Sequence, residues 1–124
     1  MGRVLLVFLA GGLGSVLRYL VVTATERWLG ASFPWGVLTV NIVGCFLIAF
    51  VMVLAVTKAD FPPALRIALT AGFLGGLTTY SSFNQDTLSM IDRKLYGTAA
   101  VYLVTTLAAC ALAGTLGTLA GRKI

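Results

Sequence analysis

An all-α membrane protein with four transmembrane helices is the fold class this sequence predicts, on three observations. The first is composition: 59% of the 124 residues are hydrophobic and only 10% are charged, a balance foreign to soluble domains. The second is distribution. Trp35–Thr57, residues 67–85 and residues 95–121 carry no charge, and residues 4–25 carry only Arg18; a span needs about 20 mostly apolar residues. The third is what remains, which is short loops and two stubby termini. The chain 1–124 therefore reads as a single transmembrane domain, with spans at about 4–25, 35–57, 64–91 and 95–121.

The first span begins after Arg3. An N-terminal charge ahead of an apolar run resembles a signal peptide, but no small-x-small cleavage site leads into a polar mature start, so an uncleaved first helix is expected. Gly11-Gly12-Leu13-Gly14-Ser15 is a patch of small residues that lets another helix come close. Arg18 stands about 15 residues in, roughly 22 Å along a helix axis. Its side chain either snorkels to the far interface or supplies an anion-attracting charge in a water-filled mouth.

Trp28 and Trp35 suit an interfacial belt, and Pro34 suits the start of the second span. The one strongly polar side chain in that span is Asn41. An amide in hydrocarbon must find a partner: either a neighbouring helix, or an anion whose water it replaces. Gly44 and Cys45, three and four residues on, give it small neighbours on its own face.

The third span holds the most informative stretch, Gly72-Phe73-Leu74-Gly75-Gly76-Leu77-Thr78-Thr79-Tyr80-Ser81-Ser82-Phe83. Its glycines weaken helical order, and its hydroxyls offer the backbone alternatives to helical bonding. A break near 75–79 is expected. Irregular backbone at membrane depth is tolerated only where it lines a cavity or is buried in protein. Freed carbonyls suit a hard cation such as Na⁺, while freed amides and the positive end of the following half-helix suit an anion. Tyr80 and Phe83, three apart, share a face beyond the expected break, and ring edges carry partial positive charge.

In the fourth span Thr98, Tyr102, Thr106 and Cys110 recur every fourth residue as a mildly polar stripe. Ala109, Ala113, Gly117 and Gly121 form a second stripe of small residues, a packing seam. Cys45 and Cys110 read as packing residues, with a disulfide left open.

Nine Lys and Arg against four Asp and Glu leave the chain basic. The basic residues sit singly or in pairs at span ends, as headgroup anchors, so no nucleic-acid surface is expected. Four spans place Arg3, Lys58, Arg66, Arg122 and Lys123 on one side and Arg27, Arg93 and Lys94 on the other. So small a bias either fixes the termini inside or lets the chain insert both ways.

Three blocks together resemble the bacterial fluoride channels of the Fluc (CrcB) family: residues 11–19, ending in Arg18-Tyr19; residues 35–46 around Asn41; and residues 72–83, similar to that family's Gly-Gly-x-Thr-Thr-Phe-Ser-Thr-Phe signature. The likeness spans essentially the whole chain. It implies passive fluoride export across the bacterial inner membrane by an antiparallel, dual-topology homodimer with two anion pathways. On that resemblance, Asn41, Tyr80 and Phe83 lie along the anion pathway and Tyr102 and Thr106 form a track of hydroxyl groups beside it; Ser81 and Arg18 are counted with the pathway on their own chemistry, a hydroxyl donor and an attracting charge. Main-chain carbonyls of Gly75 and Thr78 hold a structural Na⁺ that is not transported. Tyr80 stands where the family usually has Phe, Val37 where Thr is usual, and Cys110 where Ser is frequent.

The competing expectation is a small proton-coupled exporter of the multidrug-resistance type. Such a protein needs a carboxylate within the membrane. The central spans show none, with Asp86 placed beyond the third-span signature and histidine absent from the chain. No nucleophile–base pair or metal-ligand cluster marks an enzyme.

Overall fold

Three long helices and one interrupted helical stretch make up the computed structural model, which describes all 124 residues and contains no strand. Helix α1 is Gly2–Leu29, α2 is Trp35–Thr57 and α6 is Tyr96–Arg122; each is long and apolar enough to cross a membrane. Between α2 and α6, the chain runs through a short α3 (Pro63–Ile67), a π-helical segment (Ala68–Leu74), a single turn α4 (Gly75–Leu77) and α5 (Tyr80–Asp92). Thr78 (φ −82°, ψ 155°) and Thr79 (φ −154°, ψ 118°) are extended.

The long helices start and stop where elementary chemistry places their ends. Pro34 precedes α2, and Pro62 and Pro63 open α3, positions where a missing N–H costs nothing. Gly30, at φ 83°, ends α1 and donates its N–H to the Glu26 carbonyl. A side chain at that φ would be strained.

Small residues set the packing. A Cβ built on Gly14 of α1 would collide with the Phe73 carbonyl and lie 2.9 Å from the Leu77 nitrogen. One on Gly76 would collide with the Gly11 carbonyl and lie 3.1 Å from the Ser15 nitrogen. The two backbones are thus in mutual contact, which only hydrogen side chains allow. The seam expected on α6 does the same against α2: a Cβ on Gly117 would run into the Phe46 carbonyl, and one on Gly121 would lie 2.9 Å from the Val53 Cβ.

The buried side chains form two small cores. One joins Val37, Leu38, Phe83, Met90, Ala99 and Tyr102; the other joins Val40, Leu74 and Leu77. Only 20 of 124 residues are buried, and large apolar side chains such as Val4, Phe8, Leu13, Leu107 and Leu116 stand exposed. In water such a surface would be insupportable. In hydrocarbon it is the expected outside of a multi-pass membrane protein.

Candidate functional site

The extended pair Thr78–Thr79 is held from a distance by α2. The Asn41 side-chain amide donates to the Thr79 carbonyl (3.1 Å), and its Oδ1 accepts the Thr79 backbone N–H (2.8 Å). Both residues are buried. Asn41 thus restores to Thr79 the backbone pairing lost by leaving the helix. One of its two amide hydrogens makes the carbonyl contact, and one remains to donate elsewhere.

Local hydroxyls complete the arrangement. Thr79 caps α5: its Oγ1 accepts the Ser82 N–H at 3.1 Å, one of the donors a helix start leaves orphaned. Thr79 Oγ1 also lies 3.1 Å from Ser82 Oγ and 3.2 Å from Ser81 Oγ. The Thr78 N–H and hydroxyl both turn back to the Leu74 carbonyl, at 3.0 and 2.9 Å. Gly44 makes room for the Thr78 methyl, into which any Cβ at position 44 would collide.

A cavity of about 330 Å³ opens beside this pair, bounded by Asn41, Gly44, Cys45, Thr78, Thr79, Tyr80, Phe83, Thr106 and Cys110, with Ile48 and Leu107. No charged side chain lines it. Thr106 is buried, and its hydroxyl has no hydrogen-bond partner. A buried unpaired hydroxyl is costly unless something binds it, so this cavity holds an unmet polar demand. Tyr80 and Phe83 meet edge to face at 5.8 Å (interplanar angle 64°). Phe83 is buried, whereas Tyr80 is 78% exposed.

A second cavity, about 340 Å³, lies toward the α1–α2 loop and carries charged side chains. Its walls include Ser15, Arg18, Tyr19, Glu26, Ser82 and Asp86. Tyr102 connects the two regions. It is fully buried, packs on Phe83 at 5.1 Å, and its hydroxyl donates to Asp86 Oδ2 at 3.3 Å.

The sequence-derived residues therefore separate into groups. Asn41, Tyr80, Phe83, Thr106 and Thr78 line the first cavity, and Arg18 lines the second. Tyr102 stands between them. Ser81 is exposed, with its hydroxyl against Thr79, and Gly75 is exposed on α4. Two features escaped sequence reasoning. One is the pairing of Asn41 with Thr79, separated by 38 residues. The other is Asp86, placed by the sequence beyond the working part of the third span. It is half-buried on α5, bonded to Tyr102 and facing the cavity that contains Arg18. Its spacing of three from Phe83 was the available signal.

Residues 5–118 match the family model described as CrcB-like protein, Camphor Resistance (CrcB). The chain is 44% identical to the fluoride-specific ion channel FluC of Anaeromyxobacter sp. (strain K), over 96% of this chain and 94% of that one. It is 40% identical to the FluC of Agrobacterium fabrum over 98% of each chain, and 39% identical to that of Sorangium cellulosum over 94% of this chain and 91% of that one. The cavities described above are thus those of a member of the CrcB-like family, to which this chain belongs.

Proposed function

We propose that this protein is a fluoride-selective channel that lets fluoride leave the cell passively through the bacterial inner membrane. The observation that carries the reading is the first cavity: without a charged side chain, and lined by Asn41, which keeps one amide hydrogen, by Thr106 with its unpaired hydroxyl, and by the rings of Tyr80 and Phe83. Fluoride is small and strongly hydrated. It crosses only where donors replace its water, and it leaves only if none of them holds it tightly. Neutral donors and ring edges satisfy both conditions better than a fixed cation would. Arg18, the one cation in the wall of the second cavity, offsets the charge of Glu26 and Asp86 toward an entering anion. Tyr102 marks the route between the two cavities.

The functional unit in this reading is an antiparallel, dual-topology homodimer. Tyr80 is the ring this reading gives the second copy to cover: it stands at the edge of the cavity and the protomer leaves it exposed. The near-balanced loop charges permit both insertions.

A structural Na⁺ fits the donor set. In an uninterrupted helix the Gly75 carbonyl would accept the Thr79 N–H, which instead goes to Asn41. The Thr78 carbonyl follows an extended residue outside any helix. Two such oxygens from each of two protomers give a hard cation hard ligands. When bound, the ion supplies a fixed positive charge near the pathways. It is not transported.

Efflux from proteoliposomes, read with ion-selective electrodes, tests the selectivity. Fluoride is expected to leave rapidly under conditions where chloride is retained; equal fluxes would refute the proposal. Asp86 supplies the carboxylate that a proton-coupled exporter needs. Fluoride efflux driven at the same rate with and without a proton gradient separates the channel from that alternative.

A further inference from the structure

The first cavity contains two thiols that the anion pathway does not use. Cys45 lies one turn beyond Asn41 on α2, and Cys110 one turn beyond Thr106 on α6, so each thiol stands on the same helical face as a polar residue of the cavity wall. Both cysteines are free and half-buried. Both line the same cavity wall. The helices that bear them are in close contact: a Cβ at Gly114, one turn past Cys110, would lie 3.7 Å from the Cys45 carbonyl oxygen.

We propose that Cys45 and Cys110 form a dithiol site for a soft divalent metal ion of two-coordinate habit, of which Hg²⁺ is the probe, bridging α2 and α6 across the cavity. Sulfur selects soft ions over the hard cations that oxygen donors take. No group of three or more His, Cys, Asp or Glu side chains comes together anywhere in the fold, and the chain has no histidine. A tetrahedral zinc site therefore lacks its ligands, whereas two thiolates satisfy a linear ion. Charge makes the same selection. On binding, two S–H bonds break, two metal–sulfur bonds form and two protons pass to water, so a divalent ion and two thiolates leave a neutral adduct. Neutrality matters in a cavity walled by Ile48 and Leu107 with no charged side chain, where a net charge would be strongly disfavoured. The bridged ion sits within one turn of both Asn41 and Thr106 and obstructs the passage between them. That obstruction rests on the anion-pathway reading above; the dithiol site itself does not.

The test is titration of the full chain in detergent with mercuric chloride, read by native mass and by free-thiol assay. One mercury per chain with loss of both thiols is expected. Cys45→Ser or Cys110→Ser should bind about a hundredfold more weakly, because the second thiol no longer acts intramolecularly. Two mercury ions per chain, or single-cysteine variants that bind as tightly as the unaltered chain, would overturn the site. Methylthiolation of the unaltered protein must also abolish uptake, which guards against variants that misfold; uptake that survives it counts against the dithiol. In proteoliposomes, one equivalent should lower fluoride efflux about tenfold, with recovery on adding a dithiol chelator. Unchanged efflux with the metal bridged refutes the obstruction. Absence of fluoride efflux before any metal is added refutes the channel reading alone, since the stoichiometry still decides the site.

Discussion

The α2–α6 pair and the stretch from Pro63 to Asp92 solve the same problem in opposite ways. Each must satisfy its backbone away from water. The α2–α6 pair does so within each helix and spends its sequence on fit, with Gly117 and Gly121 letting the backbones touch. The other stretch gives up helical geometry at Thr78 and Thr79, and its backbone is then satisfied by a side chain from elsewhere, Asn41 of α2. The first arrangement builds a wall. The second leaves non-helical backbone beside a cavity, and against it the helical pair sets its own spare donors, the Asn41 amide hydrogen and the Thr106 hydroxyl. A helix whose backbone is internally complete offers an ion only its side chains.

The comparison breaks most severely where the wall is opened. Gly117→Leu forces a branched side chain into the Phe46 backbone. Overpacking typically costs about 1–3 kcal/mol, and more where the obstacle is backbone. We expect a large drop in the denaturant midpoint in detergent and loss of fluoride efflux with it. Unaltered stability would show that the seam is looser than described.

Next comes Asn41→Ala, which strands the Thr79 N–H and carbonyl in a buried setting. Each unsatisfied group costs about 1–3 kcal/mol. The variant should lose efflux as well as stability, whereas Asn41→Asp retains an acceptor for the N–H and should keep more stability while placing a charge where fluoride must pass. Efflux from Asn41→Asp equal to that of the unaltered chain would remove Asn41 from the pathway.

A smaller effect is expected from Thr79→Ala. It removes the cap on Ser82 and the hydroxyl contacts to Ser81 and Ser82, but leaves both backbone bonds to Asn41. Loss of an N-cap costs about 1 kcal/mol. A modest fall in melting temperature with efflux largely kept would locate the essential chemistry in the backbone pairing, not in the hydroxyl.

Much of the wall was legible in the sequence, because a packing seam depends on residue size at fixed helical spacing. Ala113, Gly117 and Gly121 lie where the stripe placed them. The long apolar runs coincide with α1, α2 and α6, the three helices long and apolar enough to cross a membrane. The site was less legible. Asn41 stood out as a lone amide, yet nothing local to it names Thr79 as partner. Tyr80 and Phe83 are neighbours as their spacing required, but spacing does not say which ring is covered, and only Phe83 is buried. The π-helical turn over Ala68–Leu74 has no sequence signature comparable to a proline or a cap. Asp86 reads from the sequence as the end of a span, because charge is what ends an apolar run. Its bond to Tyr102 instead depends on how α5 leans on α6.

Thr106→Val offers the most direct measurement, because it should separate conduction from folding. The substitution keeps the shape of a buried side chain and removes a hydroxyl that no protein group engages. If the cavity conducts fluoride, efflux should fall about tenfold while the melting temperature holds or rises slightly, since the unpaired hydroxyl was a cost to the fold. Undiminished fluoride efflux in a stably folded Thr106→Val protein would contradict the assignment of this cavity as the anion route.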